Sequence, residues 1–257
     1  MAAIASARAR GLLALRVADA TPGACEFYDG SRGPHCAIHR DLGAARKPAV
    51  CRHFPRLALL DPRGVSLSLS HYCPTAASML FRDSIPLRIV HDAPAFPPGD
   101  EYEGLDARDV MPPLLRPGML WDYDGYTVWE EEAIGLLARA DVTPETALER
   151  LAEAARAIER WSPGDGPLAG SVRLVFSEIG AQAPRAAASH WGVNARVVNR
   201  YLAARLFASW VPYRAQRLSD LVQDLDRAHA LLREESRRSG LLEGIRAADL
   251  RIVHAGG

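Results

Sequence analysis

Thr143-Pro144-Glu145-Thr146-Ala147-Leu148-Glu149-Arg150-Leu151-Ala152-Glu153-Ala154-Ala155-Arg156-Ala157-Ile158-Glu159-Arg160-Trp161 is the stretch on which the fold turns. Thr143 suits an N-cap, because its hydroxyl can accept from an orphan amide of the first turn. Pro144 suits the first helical position, where its missing N–H costs nothing. Leu148, Leu151, Ala155 and Ile158 then recur at helical spacing as far as Trp161. Ser162-Pro163-Gly164-Asp165-Gly166-Pro167 breaks the pattern.

Downstream, the spacing predicts a helix over about 171–180 and a longer one over about 193–210. Val197, Tyr201, Leu202, Leu206 and Trp210 form the candidate buried stripe of the second. Leu218, Leu221, Leu225 and Leu232 mark another helix, and Leu242, Ile245, Leu250 and Ile252 a last one. No internal repeat or low-complexity tract interrupts them. The expectation is a mainly α protein, with a helical bundle forming a domain over 125–257.

Upstream, the reading changes. Residues 83–124 form a Pro-rich connector, with Pro86, Pro94, Pro97, Pro98, Pro112, Pro113 and Pro117, expected to carry short strands or turns at best. Before it, Leu57-Ala58-Leu59-Leu60 and Val65-Ser66-Leu67-Ser68-Leu69 flank Asp61-Pro62-Arg63-Gly64. Pro at the second turn position and Gly at the fourth suit a type I turn, so a small β-hairpin is expected. It leads to His71-Tyr72-Cys73-Pro74. Residues 25–56 are dense in Cys, His, Gly, Pro and Arg and poor in periodic apolar positions, so an irregular Cys-rich stretch is expected there, and 25–82 reads as a Cys-cluster metal-binding segment with the β-hairpin. Burial alone cannot hold such a segment, and a bound metal would supply the stabilisation. Residues 1–24 read as a lead-in. Arg8 and Arg10 before Gly11-Leu12-Leu13-Ala14-Leu15 loosely resemble a signal peptide, but the apolar run is short and Arg16 closes it. The expected location is the cytoplasm.

Composition narrows the function classes. The chain of 257 residues is 48% hydrophobic and 24% charged, enough for a real core. Its 31 basic and 31 acidic residues cancel, which argues against a dedicated nucleic-acid partner. No stretch approaches the apolar run of about 20 residues that spans a bilayer, so no membrane partner is expected.

All four cysteines, Cys25, Cys36, Cys51 and Cys73, fall in one segment. In a reducing cytosol, clustered thiols are more often ligands or redox groups than disulfides. Four thiolates are the full complement for tetrahedral zinc or a four-iron cluster. The spacing contains no C-x2-C pair, so inert buried thiols remain the alternative on spacing alone. His35, His39, His53 and His71 sit within three residues of a cysteine and read as added ligands or as ordinary hydrogen-bonding histidines. Arg52, next to Cys51, would lower a thiol's pKa or serve as a plain surface arginine.

Cys25-Glu26-Phe27-Tyr28, Cys36-Ala37-Ile38-His39-Arg40 and Lys47-Pro48-Ala49-Val50-Cys51-Arg52-His53-Phe54-Pro55 together resemble the YkgJ-like cysteine-cluster family, described as zinc- or iron-chelating. Ser70-His71-Tyr72-Cys73-Pro74 is similar to a later cysteine in its longer members, which include flagellin lysine-N-methylases. The resemblance implies that Cys25, Cys36 and Cys51 are metal or cluster ligands, with Cys73 a fourth. It also implies an iron-sulfur cluster or zinc, S-adenosylmethionine as a cofactor, and methyl transfer to lysine of a protein partner such as flagellin. The family's opening group, resembling C-x2-C-x2-CC, has no counterpart before Cys25, which favours binding over catalysis. Two other readings stand beside the methyltransferase: a non-catalytic structural zinc or iron module, and a helical interaction domain with unligated cysteines.

No dinucleotide-binding glycine motif, phosphate loop, zincin motif or nucleophile elbow occurs. Asp122, Asp124, Glu130, Glu131 and Glu132 surround Trp121, Tyr123, Tyr126 and Trp129. Such a group could hold a cationic lysine, but a helix start that places acids near its positive end is the preferred reading. Trp191, Tyr201, Trp210 and Tyr213 are expected in the core. No catalytic base is identified.

Overall fold

The computed structural model describes residues 27–29, 35–91, 104–181 and 189–255. The lead-in segment and Cys25 lie outside the described residues. The chain divides into two compact units, Met1–His53 and Phe54–Gly257, so the division falls inside the cysteine-rich segment and the hairpin belongs to the larger unit.

The described part of the first unit has two short strands, β1 (Tyr28–Asp29) and β2 (His35–Cys36), paired antiparallel. Two short helices follow, α1 (Ala37–Leu42) and α2 (Ala49–His53). The segment read as irregular thus carries only short elements, its longest helix six residues. Helices of one or two turns are too short to impose an apolar period, which is why the sequence pattern missed them.

The larger unit begins with the hairpin, β3 (Arg56–Asp61) and β4 (Gly64–Leu69), closing on Asp61 paired with Gly64. Helix α3 (Pro74–Met79) follows. The Pro-rich connector supplies β5 (Gly104–Asp106), which pairs parallel to β3 and completes a three-stranded sheet in the order β4-β3-β5. Gly104 is required there: a Cβ would lie 2.0 Å from the Ala58 carbonyl oxygen. Strands β6 (Leu114–Arg116) and β7 (Met119–Leu120) form a second small hairpin.

From here the protein is helical, as the periodicity predicts. Helix α4 (Tyr123–Ala138) is capped by Asp122, which accepts from the Gly125 amide. Helix α5 (Pro144–Ile158) is capped by Thr143, whose hydroxyl accepts from the Thr146 amide. Helices α6 (Leu168–Ala181), α7 (Ala195–Leu206), α8 (Leu218–Ser239) and α9 (Leu241–Ala255) complete the set. Helix α7 ends at Leu206, short of the expected 210. Phe207 is extended and Ala208 adopts φ 55°, which stops the helix, so Trp210 leaves the stripe and is only half-buried.

The core is helical and continuous. Tyr126, Trp129, Leu137, Leu151, Tyr201 and Leu225 are all buried in it. Of the remaining aromatics expected inside, Trp191 and Tyr213 are half-buried. The sheet joins the helical part through Leu59 packed with Ala107 and Ala208. Buried Arg200 of α7 donates to the carbonyls of Leu80, Arg82 and Ile85, which fastens the chain after α3.

Candidate functional site

In the first unit, Cys36 ends β2 and stands at the N-cap of α1, and Cys51 lies within α2; both are half-buried. The Ala37 amide donates to the Phe27 carbonyl at 2.7 Å, and the Cys51 amide to the Pro48 carbonyl at 2.9 Å. Arg52 is exposed and donates to the Ala45 carbonyl. His39 is exposed, whereas His53 is buried. Among the residues of this unit whose burial is described, no apolar side chain is buried, and Leu42 is 65% exposed.

In the larger unit, the end of β4 runs into Ser70-His71-Tyr72-Cys73, and Cys73 precedes Pro74 at the start of α3. Cys73 is half-buried. Its loop is clamped from α9. Asp249 Oδ2 accepts from Ser70 Oγ at 2.9 Å and from the Tyr72 amide at 3.1 Å. Asp249 Oδ1 accepts from Arg205 Nη1 at 3.3 Å, and Arg205 also reaches Asp224. One turn before Asp249, Arg246 donates to the Tyr72 carbonyl at 3.2 Å and lies over its ring. A buried carboxylate is tolerable only when its oxygens are filled, and here a hydroxyl, an amide and a guanidinium fill them. His71 is buried edge-on to Tyr201; burial pushes its imidazole down to about 4, against a raising pull from Asp249 and with a lowering push from Arg205. Nothing local marks Asp249 in the sequence, since it stands far along the chain from the loop that it holds.

The acidic stretch has three fates. Asp122 caps α4 and Asp124 occupies its first turn, as the helix-start reading expects. Glu130 instead is buried. Its Oε2 accepts from Arg63 Nη1 at 2.6 Å, while Arg63 Nη2 donates to Asp61 at 2.7 Å. The Tyr213 hydroxyl donates to Asp61 at 3.0 Å, and the strained Ala208 gives its amide to Glu130 Oε1. Burial raises the Glu130 carboxyl, with Arg63 pulling it back. The cluster locks the hairpin turn onto α4 and the segment after α7.

No family model, curated protein or solved structure matches this chain. The site therefore stands on its own residues. Cys36 and Cys51 belong to the first unit, Cys73 belongs to the second, and Cys25 is outside the described residues. Among the described residues, no group of three or more His, Cys, Asp or Glu side chains is arranged to hold a metal. No helix of the described residues is long and apolar enough to cross a membrane.

Hollows open among the described residues of the helical part. One, about 700 Å³, is lined by Glu145, Glu149, Glu153, Asp226 and His229 among others. Glu145 accepts from Ser189 and from the His190 amide. His229 Nε2 accepts from Trp191 Nε1 at 2.8 Å, which fixes the neutral tautomer carrying its proton on Nδ1.

Proposed function

We propose that this protein binds a metal ion or an iron-sulfur cluster through thiolates of Cys25, Cys36, Cys51 and Cys73. One observation supports the reading most. The first unit is compact, yet its described residues bury no apolar side chain. Where the residues whose burial is described bury no apolar side chain, another source of folding free energy is called for. Thiolate–metal bonds supply one: structural zinc contributes about 10–16 kcal/mol in small zinc peptides at neutral pH. The donor chemistry fits. Cys36 and Cys51 offer sulfur, which suits zinc and iron-sulfur clusters rather than magnesium or calcium. The same observation favours a structural role for the bound metal.

Anaerobic purification followed by metal and sulfide analysis tests this. Brown protein with iron and sulfide identifies a cluster; colourless protein with zinc identifies a single-metal site. Metal-free protein that stays folded throughout would overturn the proposal. Cys51→Ala is expected to lose the metal, and retention would remove Cys51 from the ligand set. The finer reading, methyl transfer from S-adenosylmethionine to lysine of a protein such as flagellin, rests on the sequence resemblance alone. Labelled S-adenosylmethionine incubated with metal-loaded protein and a lysine-rich acceptor tests it; absence of transferred label rejects it.

A further inference from the structure

The turn Gly192–Asn194 and the last turns of α8 enclose a second hollow, about 420 Å³ in volume, lined by His190, Trp191, Asn194, Arg233, Ser236, Arg237 and Leu241. No carboxylate is among them. This volume is within the range of small-molecule sites.

The arginines of this region are sorted by partner. Helices α8 and α9 carry Arg227, Arg233, Arg237, Arg238, Arg246 and Arg251. Arg227 pairs with Asp224, Arg238 and Arg251 with Glu234 and Glu235, and Arg246 with Glu243. Arg233 and Arg237 have no carboxylate partner among the described residues, and these two are the ones that line the hollow. They stand four apart and so share a helix face. Compensation of the helix dipole accounts for Arg237 in the last turn of α8, but Arg233 lies before that turn.

Other donors in the hollow are also uncommitted. Asn194 stands at the N-cap of α7 without making a cap bond, and Ser236 Oγ has no hydrogen-bond partner. Trp191 has committed its indole N–H to His229, so what it offers the hollow is an apolar aromatic surface. Two guanidinium forks, a carboxamide and an indole ring, with no competing acid, fit an oxyanion joined to a flat ring.

We propose that this hollow binds a small phosphomonoester carrying an aromatic ring, of the mononucleotide class. Arg233 and Arg237 hold the phosphate, Asn194 donates to it, and Trp191 packs against the ring. Calorimetric titration of the full-length protein with AMP, inorganic phosphate and citrate tests this. AMP is expected to bind saturably with a Kd below about 1 mM, and more tightly than inorganic phosphate. Arg233→Ala/Arg237→Ala is expected to weaken AMP about tenfold or more, with Arg227→Ala unchanged. Trp191→Ala should weaken AMP while sparing inorganic phosphate. In the unmodified protein, AMP should shift the Trp191 indole N–H resonance, a readout that depends on no variant folding. Absence of saturable binding, equal affinity in the double variant, or an unmoved Trp191 resonance would each overturn the proposal. Citrate binding as tightly as AMP would replace the phosphomonoester with a general polyanion and overturn the ligand class.

Discussion

Asp249 shows how much one side chain can set. Its two oxygens hold Ser70, the Tyr72 amide and Arg205, and through them the three residues before Cys73. Asp249→Ala is expected to cost about 2–4 kcal/mol, since it leaves the Ser70 hydroxyl and the Tyr72 amide without their acceptor while Arg205 keeps only Asp224. Urea unfolding measures that loss, and faster alkylation of Cys73 in the folded variant reports the loosened loop. Two histidines lowered by burial contribute to the pH dependence, His71, held down to about 4, and His229. Burial holds His229 below its ordinary value of 6.5, with Glu145 pulling it up and Arg233 and His190 pushing it further down. The unfolded chain therefore binds the proton more readily than the folded one. The contribution of this site to stability is full above pH 6.5 and is lost as pH falls toward the folded value. His229→Gln, whose carbonyl can still accept from Trp191, should flatten the decline in urea midpoint between about pH 7 and about pH 5. An unchanged pH profile would exclude His229 as a contributor and leave the decline to His71. Neither Asp249 nor His229 was legible from local pattern. The Ser70–Pro74 string announced its cysteine, but a buried partner on the last helix leaves no mark beside it.

At the scale of elements, legibility followed length. Helices α5, α8 and α9 were readable because fourteen or more residues repeat an apolar face, and because Thr143 and Pro144 announce a start. The hairpin was readable from its turn chemistry. Strand β5 was not, because three residues after a proline-rich run carry no period, and their pairing with β3 is a long-range event. The end of α7 was missed for a related reason. Its stripe runs on to Trp210 in sequence, while Ala208 turns to positive φ beneath Glu130. The α8–α9 hairpin offers a test of element packing. Gly240 at φ 80° makes the turn, and Gly244 then meets Ser236 so closely that a Cβ would lie 2.6 Å from its Cα. Backbone cannot yield as a flexible side chain can. Gly244→Ala should therefore destabilise by about 1–3 kcal/mol, although alanine is the better helix former. A thermal melt showing equal or greater stability would mean that the two helices are free to separate there.

At the scale of the whole molecule, the two units draw on different sources of stability. The unit Phe54–Gly257 has a continuous helical core and two buried ionic clusters, so it is expected to fold on apolar burial. The described residues of Met1–His53 bury no apolar side chain, so on the proposed reading their order depends on thiolate ligation. Metal removal should therefore act unevenly along one chain. Chelation, or Cys36→Ser/Cys51→Ser, should open protease sites before His53 while leaving the helical circular dichroism largely in place. The main unfolding transition should lose only the share of stability that ligation through Cys73 adds to the larger unit, because ligand binding stabilises only the structure that unfolds with it. The fragments, mapped by mass, carry the decision. Cleavage confined to residues before about 54 supports ligation as what holds the first unit together. Resistance there in demonstrably metal-free protein would assign that unit's order to its hydrogen bonds alone. A collapse of both units together would place the metal's contribution in the common fold.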